Sequence, residues 1–107
     1  MPELDPDREM QRVRQLVEQG DLDAAKKLLW PPGANQDWFE NMATMVEFAG
    51  GSYEQTDKAR AIWCYEQAKA MYEATISGTS GAEMEAEAKM MEGRTSHLGK
   101  KIWLLKS

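Results

Sequence analysis

The stretch EQGDLDAAKKLLWPPG, residues 18–33, limits what this chain can fold into more than any other part of it. Two apolar stripes of helical period flank a Gly-Asp turn too short for anything but an antiparallel reversal, and two prolines then end the second stripe. Upstream, Asp5 is placed to cap a helix that begins at Pro6, where a missing N–H costs nothing, and Met10, Val13, Leu16 and Val17 fall on one face. Gly20 supplies the left-handed C-terminal conformation, Asp21 caps the next helix at once, and Leu22, Ala25, Leu28 and Leu29 form its stripe. Pro31 and Pro32 remove backbone donors and disfavour helical geometry before them, so the second helix stops there.

The same grammar repeats. Asn35 is placed to cap a third helix with the stripe Trp38, Phe39, Met42, Met45, Val46 and Ala49, and Gly50 and Gly51 are expected to stop it. Ala61, Cys64, Tyr65, Ala68, Met71, Tyr72 and Thr75 predict a fourth, widened by Ile62 and Trp63. Residues 77–81, SGTSG, read as a linker, and Ser80 with Glu83 makes an S-x-x-E capping box for a fifth helix. In that helix Met84, Ala88, Met91, Thr95, Leu98, Ile102 and Leu105 recur at alternating steps of four and three, which predicts one rod over 82–106 despite Gly93 and Gly99; a break near Gly93 is the competing reading. No run of alternating β-branched or aromatic residues predicts a strand. The expected fold is all-α: a single helical domain over 1–107, with one antiparallel hairpin over 6–30, a second over 35–76, a linker over 77–81 and a long capping helix over 82–106, about five helices in all. Such a cap is needed because a stack of hairpins leaves an apolar face at its end. The seam also has the period to pair with its equivalent in a homodimer.

LVEQGDLDAAKKLL, residues 16–29, resembles the turn and second helix of a tetratricopeptide repeat, with Gly20, Asp21, Leu22 and Ala25 at the family's turn and close-approach positions. MATMVEFAGGSY and KARAIWCYEQA are similar to the end of a first helix and to a second helix, with Ala61, Tyr65 and Ala68 where the family often carries Ala, aromatic and Ala. An internal comparison pairs Met10, Val13, Leu16 and Val17 with Met42, Met45, Phe48 and Ala49 at an offset of 32, and Ala25, Leu28 and Leu29 with Ala59, Ile62 and Trp63 at 34. The resemblance implies a stack of helical hairpins that binds other proteins, and it covers residues 7–76.

Charge sorts the partner classes. The net charge is -5, which argues against nucleic acid as a partner because that needs a cationic face to displace phosphate counterions. Residues 1–53 carry ten acids against five bases, whereas 93–107 hold Arg94, Lys100, Lys101 and Lys106 and no acid. One cysteine and an acidic start without an apolar signal region make the cytoplasm the expected compartment. No apolar run approaches the ~20 residues of a membrane-spanning helix.

No set of residues reads as a catalytic or metal centre, and no cofactor is expected. His97 has Gly93, Arg94, Lys100 and Lys101 at its helical neighbour positions, so no ligand or base pair forms around it. Cys64 lies within an apolar stripe and reads as a small hydrophobe. The cluster of Glu83, Glu85, Glu87 and Glu92 does not converge on a cation, because a step of two on a helix turns neighbouring side chains about 200° apart. The expected function is a small non-catalytic protein–protein interaction module that holds a peptide or helix of a partner protein between its hairpins. Trp38, Asn41, Tyr53, Arg60 and Trp103 are the candidate contacts, chosen as polar or aromatic positions near the hairpin faces. The alternative is a small acidic inhibitor that blocks a basic or nucleic-acid-binding protein by charge. For Trp103 two readings stay open: KKIWLLK, residues 100–106, docks on an acidic partner, a second copy or a membrane surface, or the ring is buried against the preceding helix.

Overall fold

The computed structural model describes residues 5–78 and 85–106 as five helices: α1 (Pro6–Gln19), α2 (Leu22–Leu29), α3 (Gln36–Tyr53), α4 (Lys58–Gly78) and α5 (Glu85–Lys106). No strand occurs among the described residues. The Asp5 carboxylate accepts from the Asp7 N–H at 3.1 Å at the start of α1, and Pro6 occupies the first helical position. At the other end Gly20 sits at φ +84°. Its N–H donates to the Val17 carbonyl at 3.0 Å and that of Asp21 to Leu16 at 2.9 Å, which satisfies carbonyls the helix would otherwise leave open. Asp21 then accepts from Ala24 N–H at 3.2 Å, so one reversal closes α1 and opens α2. Asn35 caps α3 through the Trp38 N–H at 2.9 Å, as its position implies.

Packing follows the chain in two hairpins and a lid. α1 packs on α2 and α3, α3 and α4 share the most extensive interface, and α5 lies along α4. The α3–α4 pair is antiparallel: Gln36 near the start of α3 donates to the Thr75 carbonyl at 3.4 Å, Thr44 meets the Tyr72 hydroxyl at 3.2 Å, and the Tyr65 hydroxyl donates to Glu54 just beyond α3. One core runs through the molecule, from Met10, Val13 and Val17 of α1 through Met42 and Val46 of α3 and Tyr65, Met71 and Tyr72 of α4 to Leu98 of α5. Burying each large apolar side chain contributes about 1.5–3 kcal/mol. The Cα atoms fill a slab of 42 × 41 × 17 Å, about two helix layers thick.

Several expectations change. Gly50 and Gly51 do not stop α3, which continues to Tyr53. The reason is packing: a Cβ on Gly50 would lie 2.8 Å from Cε1 of Tyr65 and 3.2 Å from the Cβ of Cys64. The glycine is where α4 comes closest, not where α3 ends. Asp57 opens α4 earlier than the apolar stripe suggests, by accepting from the Arg60 N–H at 3.1 Å. Ser77 and Gly78, expected in the linker, belong to the last turn of α4, and the remainder of that linker, with the Ser80–Glu83 capping box and Met84 of the seam, lies outside the described residues. α5 passes unbroken through Gly93 and Gly99, and the seam holds where its side chains are described, with Leu98 buried and Ile102 and Leu105 packed against the core. The internal pairing shifts as well. Met10, Val13 and Val17 are buried like Ala43, Val46 and Gly50, an offset of 33, while Ala25 and Leu29 match Ala61 and Tyr65 at 36.

The two helical glycines separate cleanly in test. Gly50→Ala overpacks the α3–α4 crossing and is expected to cost about 1–3 kcal/mol. Gly93→Ala, with nothing within 4 Å of the new methyl, is expected to gain about 1 kcal/mol from helix propensity. Urea unfolding of both variants checks the opposite signs, with unchanged denaturant dependence as the sign that the native fold is retained.

Candidate functional site

α1 and α3 each have a buried stripe toward α2 and α4, and the residues beside those stripes face each other across an open depression. Its walls are Asp7, Met10, Gln11 and Arg14 of α1 and Thr44, Met45 and Phe48 of α3, enclosing about 560 Å³. A second depression of about 470 Å³ shares Asp7, Thr44 and Met45 with the first and extends past Glu40 and Asn41 to Arg94 of α5. The two form one groove along α3, of a size that accepts a ligand side chain or a short helical segment. Its floor is apolar around Met10 and Met45, and its edges carry both signs of charge.

Phe48 dominates the groove. It is 77% exposed, because it sits two residues past Val46, about 200° around the helix from the buried side. Arg94 is held at the far end with its guanidinium 5.5 Å above the Tyr72 ring, a cation–π contact that fixes a cation beside Glu40 and Asn41. The described residues contain no group of three or more His, Cys, Asp and Glu side chains arranged to hold a metal ion.

The sequence-derived contact residues separate into different places. Asn41 is exposed and lines the groove. Trp38 is 4% exposed, and its indole N–H donates to the Leu29 carbonyl at 3.1 Å. It joins the end of α2 to α3, and only a small part of it reaches the surface, in a depression of about 350 Å³ that it lines together with Asn41. Nearby, Trp30 donates to Gln67 of α4 at 3.0 Å and its ring lies 5.1 Å from that of Phe39, so the segment broken by the prolines is pinned by two tryptophans.

Arg60 is also committed to the fold. Its Nε donates to the Val17 carbonyl at 2.8 Å and its second terminal nitrogen to Glu18 at 3.1 Å, while the first pairs with Asp57. A cation thus rests on the last carbonyls of α1, where the helix dipole favours it. The Arg60 backbone N–H, followed by its side chain, holds the Asp57 carboxyl below its ordinary value of 3.8. Tyr53 is half-buried at the same junction, where burial and then the Glu18 carboxylate raise its phenol above the usual range. Trp103 stands apart on α5, 70% exposed. The reading that buries it is set aside.

Phe48, Met45 and Arg14 carry most of the groove, and none was among the expected contacts. Phe48 did leave a trace in the sequence, as a large aromatic outside the predicted α3 stripe. Arg14 and Asp7 left none, since charged residues on an exposed helix side look alike until a neighbouring helix makes one side concave. His97 is exposed. Cys64 is buried, and burial pushes its thiol up to about 12. In comparison with known proteins, no family model, no curated protein and no solved structure matches the chain.

Replacing Arg60 by Met leaves two α1 carbonyls and Asp57 without their shared donor, an expected loss of about 1.5–3 kcal/mol in urea unfolding. Arg60→Lys should recover little of it, since one ammonium cannot span three acceptors in a plane. The stability that Asp57 contributes is present above pH 3.8 and is lost as pH falls through its lower native value, so Asp57→Asn should flatten the acid limb of the stability curve. Cys64 is expected to resist a disulfide reagent at pH 8 until denaturant is added, as a buried protonated thiol must; prompt labelling of the native protein would contradict its placement.

Proposed function

We propose that the protein is a non-catalytic interaction module of helical hairpins, in the manner of tetratricopeptide repeats, and that the groove between α1 and α3 receives a peptide or an amphipathic helix of a partner protein. One observation carries this reading: Phe48 stands exposed beside Met10 and Met45 at the mouth of a depression of about 560 Å³. An aromatic side chain held on a rigid helix next to an apolar hollow loses little entropy on binding, and such residues dominate the energetics of protein interfaces. Methionine walls adapt to more than one side-chain shape. Asp7, Arg14, Glu40 and Arg94 at the edges favour a ligand with an apolar centre and charges of both signs around it, which is the surface of an amphipathic helix. Asn41 is the one sequence-derived contact that belongs to this groove; Trp38, Tyr53 and Arg60 support the helices that form it.

The test is selection of helical peptides from a displayed library on the purified chain, followed by substitution of the groove. Phe48→Glu should weaken the selected peptides by about tenfold or more, with the melting temperature nearly unchanged because the side chain is already in water. Binding should vary little between about 50 mM and about 500 mM salt, since an apolar anchor is insensitive to screening. Peptides that bind the Phe48→Glu variant equally well would overturn the proposal. A steep loss of affinity with salt would favour an acidic inhibitor that acts by charge.

A further inference from the structure

α5 is the last helix of the stack, and only one of its sides is covered. Leu98, Ile102 and Leu105 face the core. At 100° per residue, Ser96, Lys100, Trp103 and Leu104 fall on the outward side, and all four are exposed. Trp103 and Leu104 are 70% and 63% exposed, adjacent, and one turn from Lys100. A terminal helix in water needs a polar back, and among its described residues this one departs from that at Met90, 48% exposed, and most strongly at the adjacent pair Trp103 and Leu104.

Charge identifies the kind of surface that fits there. From residue 93 to residue 107 the chain has four cations and no acid, within a protein of net charge -5. Lys101 and Lys106 lie to either side of the outward strip and reach Glu54 at 3.6 Å and Glu66 at 3.9 Å, which neutralises the nearest carboxylates. The acids of the groove, Asp7 and Glu40, border Arg94, nine residues or about 14 Å of helix away from Trp103. That exceeds the Debye length of about 8 Å at physiological salt; nearer the ridge, Glu66 and Glu73 of α4 border the depression beside Gly99 and Ile102 and are paired with Lys106 and Lys69, while Lys100 is exposed on the outward side.

We infer that the outward ridge at the end of α5, formed by Lys100, Trp103 and Leu104, is a docking surface for an anionic lipid membrane. A bilayer surface accepts such a ridge, with the indole at headgroup depth, the leucine below it and the lysine on phosphate. A second copy would bring the same cations against one another. None of the described helices is long and apolar enough to cross a membrane, so the contact is superficial, and it leaves the α1–α3 groove free.

The experiment uses the full chain with vesicles of phosphatidylcholine alone and of phosphatidylcholine containing about one third phosphatidylglycerol, read by co-sedimentation and by quenching of tryptophan fluorescence with brominated lipid. Binding to the anionic vesicles only is expected. The Trp103→Ala, Leu104→Ala double variant should bind about tenfold more weakly, and Lys100→Glu, which removes no apolar surface, at least about threefold more weakly. Circular dichroism should show the fold of both retained. Phe48→Glu should bind vesicles like the parent, which separates this surface from the groove. Absence of binding, equal binding to neutral vesicles, or variants that bind undiminished would overturn the inference. So would a dimer in sedimentation, without lipid, that the Trp103 variant abolishes, or an acidic helical peptide that binds the ridge while anionic vesicles do not.

Discussion

The whole arrangement depends on how closely α3 and α4 approach at Gly50. The Tyr65 ring occupies the space that any side chain at that position would need, and it is itself fully buried. A glycine inside a helix costs about 1 kcal/mol relative to alanine, and the close crossing offsets that cost by bringing two long helices into continuous contact. Tyr65 then extends the effect beyond the pair. Its hydroxyl donates to Glu54, burial and this hydrogen bond raise its phenol above the usual range, and Lys101 of α5 sits 5.2 Å above the same ring while reaching Glu54. One side chain therefore sets the spacing of α3 and α4 and positions the helix that closes the stack.

The groove is a consequence of this geometry. Because α3 is fixed against α4 on one side, α1 can only pack beside it, and Arg60 reaches from α4 across to the last carbonyls of α1 to hold that helix in register. Two neighbouring helices tied from behind leave a furrow in front. Met10 serves both sides: it is buried in the core and also walls the furrow. The lower end is closed by Arg94, which α5 delivers onto Tyr72. Furrow and scaffold share residues, so the walls of the furrow are groups whose positions the core already fixes.

Local chemistry made much of the fold legible. Asp5, Gly20, Asp21 and Asn35 act within four residues of themselves, and proline acts on its own backbone, so the ends of α1 and α2 and the start of α3 follow from the chain alone. The seam of α5 was readable because a period persists over many residues. Gly50 was not, since a glycine that ends a helix and one that admits a neighbouring ring look identical until the neighbour is known. Trp38 and Arg60 were ambiguous for a related reason: an indole and a guanidinium suit a partner's surface and the chain's own carbonyls equally well, and the tertiary position of Leu29, Val17 and Glu18 engages both in the fold. The groove lay beyond local reading because concavity belongs to two helices together.

A slab 17 Å thick also explains why exposed apolar groups occur where they do. In two helix layers every helix keeps one side in water, and a stack that ends leaves its last helix with no successor. Evolution of such a surface toward solubility predicts charged and small residues throughout, and the outward side of α5 follows that rule through Ser96, His97 and Lys100. Met90 breaks it partly, at 48% exposed, and Phe48 and the Trp103–Leu104 pair break it most, on different helices and in different surroundings, one beside a hollow with charges of both signs and the other beside lysine. The two exposed groups therefore differ in surroundings as well as in place: Phe48 borders a depression edged by Asp7 and Arg14, and Trp103 and Leu104 lie one turn from Lys100 on the helix that ends the stack.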